Sequence, residues 1–117
     1  MRVLVVDDDP SVLEIVCRMV ERLGHTVVKS RDGADAKQLI LNGEVFGAII
    51  SDNNMSKMDG IDFLRWFRSE FEPVATTILI ISSGRESEKI NELCRQFGDI
   101  KKMSKPIWSE RLGKILI

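Results

Sequence analysis

One histidine, two cysteines and no long apolar run are what this 117-residue sequence conspicuously has little of. The lone histidine, His25, follows a helix-stopping glycine and reads as an exposed structural residue, not as a metal ligand or phosphotransfer group. Cys17 and Cys94 each fall inside an amphipathic pattern, so they read as reduced, buried core thiols and not as a disulfide or thiolate metal site. Apolar runs such as Ile78 to Ile81 are far shorter than the roughly 20 residues a membrane span needs, and the N-terminus has no basic-then-apolar leader pattern. No membrane contact and a cytoplasmic location are therefore the expectation. An excess of one charge is lacking as well: 17 Lys and Arg stand against 18 Asp and Glu, which disfavours nucleic-acid binding through bulk positive charge. The length suits a single domain, residues 1–117, with one sheet-centred core and no room for a second.

What is present is a repeated strand–loop–helix unit. Arg2 to Val6 is a β-branched, nearly uninterrupted apolar run, as expected of a strand covered on both faces in a parallel sheet. Asp9 can then cap a helix opened by Pro10, in which Val12, Leu13, Ile15, Val16, Met19, Val20 and Leu23 recur at helical spacing until Gly24. Thr26 to Lys29 predicts a second strand, and Ala34 to Leu41 a helix with Ala36, Leu39 and Ile40 inward, broken by Asn42 and Gly43. Ala48 to Ser51 predicts a third strand running into Asp52, and Ile61 to Phe71 a helix closed by Pro73. Phe63, Trp66, Phe67 and Phe71 recur on that helix as core positions, whereas Trp108 is a candidate interface residue. Thr77 to Ile81 follows as a strand, Glu86 to Phe97 as a helix ended by Gly98, and Ile100 to Met103 as a weaker strand. Ser109 is placed to cap a last helix of about two turns reaching Ile117. Alternating strands and helices with short connections give an α/β fold, doubly wound, with helices on both faces of a parallel sheet. In such sheets a site forms beyond the carboxyl ends of the strands, where the strand order reverses.

The residues at those ends are chemically coherent. The first strand ends in Asp7 and Asp8, the third in Asp52, the fourth in Ser82 and Ser83, and the fifth leads to Lys105 and Pro106. Three converging carboxylates repel one another unless a cation lies between them, and oxygen ligands on loops suit hard magnesium, or manganese in its place. With charge neutralised in that way, an anionic phosphoryl donor can approach Asp52 in line, which makes Asp52 a candidate nucleophile. A Lys105 ammonium and a Ser82 hydroxyl are suited to the remaining phosphoryl oxygens, with Ser83 the alternative if the strand is shifted by one residue.

The segments VLVVDDDP (Val3 to Pro10), IISDNNMSKMDG (Ile49 to Gly60), LIIS (Leu79 to Ser82) and SKP (Ser104 to Pro106) stand in an order and spacing that resembles the CheY-like receiver domains of two-component response regulators. The resemblance runs from residue 2 to about Ile107. It implies a flavodoxin-like, three-layer fold with five parallel strands in the order 2-1-3-4-5 and five helices. It further implies that Asp52 is the phosphoacceptor, loaded by a sensor histidine kinase or a phosphotransfer protein. Asp7, Asp8, Asp52 and the Asn54 backbone carbonyl would hold the magnesium ion, with Ser82 and Lys105 on the phosphoryl group. Such a module is not an enzyme, beyond slow hydrolysis of its own phosphoryl group, and it signals to a downstream or attached output domain or through a homodimer.

Two positions and the last helix depart from that pattern. Ser56 replaces a proline after the phosphoacceptor, which adds freedom worth about 0.4 to 1 kcal/mol in the unfolded chain. Lys102 stands where many members carry the aromatic residue of the switch, and is expected to stay solvated on the face of the fourth helix, fifth strand and last helix. The last helix is short and ends on Ile115, Leu116 and Ile117, as if continued by further chain or completed by a partner. Two other functions fit parts of the sequence. Asp7 and Asp9 form an Asp-x-Asp pair of the haloacid dehalogenase phosphatase kind, with Asp7 as nucleophile, although such enzymes need more chain. A receiver fold used as an interaction module independent of phosphorylation is the other.

Overall fold

Strand and helix alternate as the sequence predicts in a computed structural model that describes residues 1–72, 76–85 and 87–117. The order is β1 (Arg2–Val6), α1 (Pro10–Arg22), β2 (Thr26–Ser30), α2 (Gly33–Leu41), β3 (Ala48–Asp52), α3 (Gly60–Trp66), β4 (Ile78–Ser83), α4 (Glu88–Gln96), β5 (Lys101–Ser104) and α5 (Ser109–Ile115). The strands form one sheet in the order β2-β1-β3-β4-β5, and every pairing is parallel. The chain moves outward from β1 to β2 and then returns to the other side of β1 through β3. The carboxyl ends of β1 and β3 therefore flank the crevice at which the order reverses.

Period-two alternation divides each central strand between two cores. Val3 and Val5 of β1, Ala48 and Ile50 of β3 and Ile80 of β4 pack with Leu13, Val16, Cys17 and Val20 of α1 and Leu112 of α5. Leu4, Val6, Ile49, Leu79 and Ile81 pack on the opposite face with Ala36 and Ile40 of α2, Phe63 and Leu64 of α3, and Ile90 and Leu93 of α4. Burial on both faces explains why the strands read as continuous apolar runs. The result is a three-layer flavodoxin-like fold, and no helix among the described residues is long and apolar enough to cross a membrane.

Local chemistry accounts for most boundaries. Asp9 caps α1, accepting from the Ser11 and Val12 amides at 2.9 and 3.4 Å, and Pro10 takes the first helical position, where its missing N–H costs nothing. Asp32 caps α2 through the Asp35 amide (2.8 Å), and Asp59 caps α3 through the Asp62 amide (2.9 Å). Ser87 caps α4 through the Ile90 amide (3.4 Å). Pro73 and Glu86, expected at the end of the third helix and the start of the fourth, lie outside the described residues.

Several expectations need correction. Ser109 does not cap α5 but is its first residue; Trp108 holds the cap position without a side-chain hydrogen bond, and its ring is exposed. The third helix does not run unchanged to Phe71. It continues as a π-helical turn, Phe67–Phe71, closed by the Glu72 amide on the Phe67 carbonyl at 2.7 Å. The wider turn leaves Phe71 47% exposed although its ring stacks on Phe67 at 5.4 Å, and it carries Arg68 into the interior. Arg68 is paired there with Glu72 at 2.8 Å and Asp99 at 2.7 Å, and it donates to the Thr77 carbonyl at 2.7 Å. Ile15 is also exposed, on the rim of a groove formed with Pro106 and Ile107, because none of the described residues covers that edge of α1. Of the two free thiols only Cys17 is fully buried, Cys94 being half-buried, as is His25.

Candidate phosphoacceptor site

The Asp7 amide donates to the Ser30 carbonyl at 3.1 Å, prolonging the β1–β2 pairing by one residue and fixing where the strand lets go. Asp7 then turns inward: it is buried, and its Oδ1 accepts the Asp9 amide at 2.9 Å. Asp8, the next residue, is exposed. Asp9 spends its carboxylate on the α1 cap, which removes the second acid that an Asp-x-Asp phosphatase would require.

Asp52 ends β3 with its side chain nearly buried, directly opposite Ser82 of β4 in the register. Two contacts anchor the following loop. The Asn53 amide donates to the Ser82 carbonyl at 3.2 Å, and the Gly60 amide to the Asn53 carbonyl at 3.0 Å. A Cβ on Gly60 would stand 2.2 Å from the Asp52 carbonyl oxygen, so only glycine lets α3 begin this close to the strand. Within the loop Ser56 is exposed and Met58 is held at φ 56°, an uncommon conformation for a residue with a side chain.

Lys105 reaches the same place from the far side. It follows β5, its amide donates to the Ser83 carbonyl at 2.8 Å, and its bond to Pro106 is cis. The ammonium lies 2.9 Å from Asp52 Oδ1 and 3.3 Å from Asp7 Oδ2. Asp7, Asp8 and Asp52 each offer a carboxylate oxygen, all within 4.8 Å of one another. These groups open into a polar cavity of about 360 Å³ lined also by Asp9, Asn54, Gly84 and Arg85.

The electrostatics follow from burial and proximity. Desolvation raises the Asp7 carboxyl above the ordinary carboxylate range, and the Asp52 charge adds to it, against the Asp9 amide and Lys105, which pull the other way. Burial alone would lower the Lys105 ammonium; its hydrogen bond to Asp52 and the charges of Asp52 and Asp7 outweigh that and raise it. Acidic oxygens outnumber cations, and a small hard divalent ion is the species that an all-oxygen set at strand ends fits.

Asp7, Asp8, Asp52, Asn54 and Lys105, the residues singled out in the sequence, all line one cavity. Ser82 is the partial case: it is buried beside Asp52, but its hydroxyl is directed to the Ser51 carbonyl at 3.5 Å. Ser83 is engaged elsewhere, donating to the Arg85 carbonyl at 2.9 Å, so the strand has not shifted toward it. Lys102 is exposed, as expected, and its ammonium donates to Asn91 Oδ1 on α4 at 2.8 Å. Arg85 also lines the cavity, which sequence patterning does not single out. Its signal in the sequence is a basic residue two positions beyond a strand that ends in hydroxyls.

The fold is a doubly wound α/β domain with an acidic pocket at the β1/β3 crevice, and a model of the response regulator receiver domain matches residues 3–117. The chain belongs to the response regulator receiver family. It is 28% identical over 121 residues to the chemotaxis protein CheY homolog of Campylobacter jejuni, covering 99% of this chain and 92% of that relative. The structure of Vibrio cholerae chemotaxis protein CheY4 superimposes with a TM-score of 0.84 at 28% identity, covering 98% of this chain and 94% of that one. The Francisella response regulator 1452 receiver domain gives 0.82, also at 28% identity, with coverage of 98% and 94%. Receiver domains are signalling domains of two-component systems, and as a family they bind magnesium at an acidic pocket.

Proposed function

We propose that this domain accepts a phosphoryl group on Asp52 from the phosphohistidine of a sensor histidine kinase or phosphotransfer protein, and relays it as a conformational or assembly change. The observation that carries this reading is the Lys105 ammonium, 2.9 Å from Asp52 inside a pocket where three carboxylates approach within 4.8 Å. Asp7, Asp8, Asp52 and the Asn54 backbone carbonyl are the groups that would hold magnesium or manganese. When bound, that ion supplies charge neutralisation for the carboxylates and the incoming phosphate.

The chain's own groups do the rest. An Asp52 oxygen attacks phosphorus as the donor's P–N bond breaks, and imidazole departs with the electron pair. The Lys105 ammonium binds one phosphoryl oxygen by charge, and the Ser82 hydroxyl turns from the Ser51 carbonyl to donate to another. Phosphorylation converts a carboxylate into a group with about two negative charges, which draws Ser82 and Lys105 together and shifts the balance between two shapes of the α4–β5–α5 face. A downstream or attached output domain, or a second copy, reads that face.

The test is labelling with magnesium and acetyl phosphate. One hydroxylamine-labile phosphoryl group per chain is expected, and none on Asp52→Asn. Unchanged labelling of that variant rejects the assignment.

A further inference from the structure

Arg85 stands at the rim of the Asp52 cavity, on the turn that leaves β4. The turn is pinned through its backbone: Ser83 Oγ donates to the Arg85 carbonyl at 2.9 Å and accepts from the Arg85 amide at 3.3 Å. The side chain itself is exposed, and among the described residues no carboxylate lies within ion-pair distance of its guanidinium. Lys105 differs, being already engaged with Asp52 and Asp7. The cavity thus has one cation engaged at its floor and, among the described residues, a second at its mouth with no carboxylate partner.

The charge balance gives that second cation a role. Asp7, Asp8, Asp9 and Asp52 bring four carboxylates to the cavity, and Lys105 brings one ammonium. A divalent ion still leaves one negative charge in excess, which a doubly charged phosphodonor must approach. One guanidinium brings the pocket to neutrality, and its planar fork suits two phosphoryl oxygens at once.

We propose that Arg85 recruits and orients the anionic phosphodonor for attack by Asp52, and so sets a preference for donors carrying two negative charges. The inference rests on Asp52 being the phosphoacceptor. With acetyl phosphate, an Asp52 oxygen forms a bond to phosphorus, the P–O bond to the acetyl group breaks, and acetate leaves with the electron pair. No proton moves and charge is conserved. Arg85 is a positioning residue: it acts on the donor's approach and takes no part in the bond changes.

The experiment compares Asp52 labelling rates for the unaltered chain, Arg85→Ala and Arg85→Lys, in magnesium near neutral pH. The two donors are acetyl phosphate, a dianion there, and phosphoramidate, which carries one net negative charge. Arg85→Ala is expected to lower the acetyl phosphate rate about fivefold more than the phosphoramidate rate, through a higher half-saturating concentration. Arg85→Lys restores most of the difference, and added salt slows the unaltered chain more than Arg85→Ala. An equal fall with both donors, or no fall, overturns the role of Arg85 while Asp52 remains the acceptor. Failure of the unaltered chain to be labelled at Asp52 by either donor overturns both.

Discussion

The Lys105 ammonium stands 2.9 Å from Asp52 Oδ1 while also reaching Asp7, so a single cation holds together two nearly buried carboxylates drawn from different strands. Lys105→Met leaves those two charges facing each other. In the absence of divalent ions the variant should lose about 1–3 kcal/mol of stability, and millimolar magnesium should recover part of it. Urea denaturation with and without magnesium measures both; an equal loss in the two conditions would contradict the bridging role.

Asp7 gives a pH dependence of defined sign. Its folded carboxyl titrates above its unfolded counterpart, through desolvation first and the Asp52 charge besides. Its contribution to stability is therefore present below the ordinary carboxylate range and lost as pH rises through the raised value. Asp7→Asn, which keeps an oxygen for the Asp9 amide, should raise the melting temperature of the metal-free chain at neutral pH and abolish stabilisation by magnesium. Thermal melts at several pH values, with and without magnesium, check both parts.

Gly33 couples α2 to the loop that carries Asn54. Its amide donates to the Lys57 and Met58 carbonyls, both at 3.1 Å, and a Cβ there would stand 2.2 Å from the Met58 oxygen. Gly33→Ala must push backbone against backbone, at about 1–3 kcal/mol. It should also weaken magnesium binding if the displaced loop supplies the Asn54 carbonyl as the proposed ligand. Calorimetric titration of the variant against its urea midpoint separates the two effects.

Arg68 is the buried anchor at the opposite end of the sheet, and Arg68→Met should cost about 3 kcal/mol by stranding Glu72 and the Thr77 carbonyl. Burial pushes the Glu72 carboxyl up, but the Thr77 amide and hydroxyl, Arg68 and the Thr76 side chain together hold it below the usual range. That stabilisation is present above the ordinary glutamate value and is lost as pH falls through the lowered one. Acid denaturation should accordingly be less steep in the variant than in the unaltered chain.

The two thiols should separate by reactivity. Burial pushes the Cys17 thiol up to about 11, and Cys94, half-buried, is raised as well. At pH 8 a maleimide should modify Cys94 first and reach Cys17 only on unfolding, which mass spectrometry of timed samples would record.

What could be read in the sequence was whatever depends on neighbours along the chain or on strand ends. Val3 to Val6 announce a strand buried on both sides, Asp9 with Pro10 marks a helix start, and the acids and Lys105 fall at strand termini, where a parallel sheet gathers them. What escaped depends on packing between distant segments. Ile15 obeys the helical period but is exposed, because no element among the described residues covers that edge of α1. Arg68 is polar yet interior because Glu72, Asp99 and the Thr77 carbonyl meet it there, and the π-helical turn that admits it has no local signature. Arg85 belongs to the cavity only through the direction in which the β4 turn leaves the sheet.

The amide of Asp9 rests on an Asp7 oxygen while the carboxylate of Asp9 holds the first amides of α1. Any tug on Asp7 is therefore passed to the head of that helix within two hydrogen bonds. If the pocket is loaded, the Ser11 and Val12 amides should report it as nuclear magnetic resonance shifts at the head of α1.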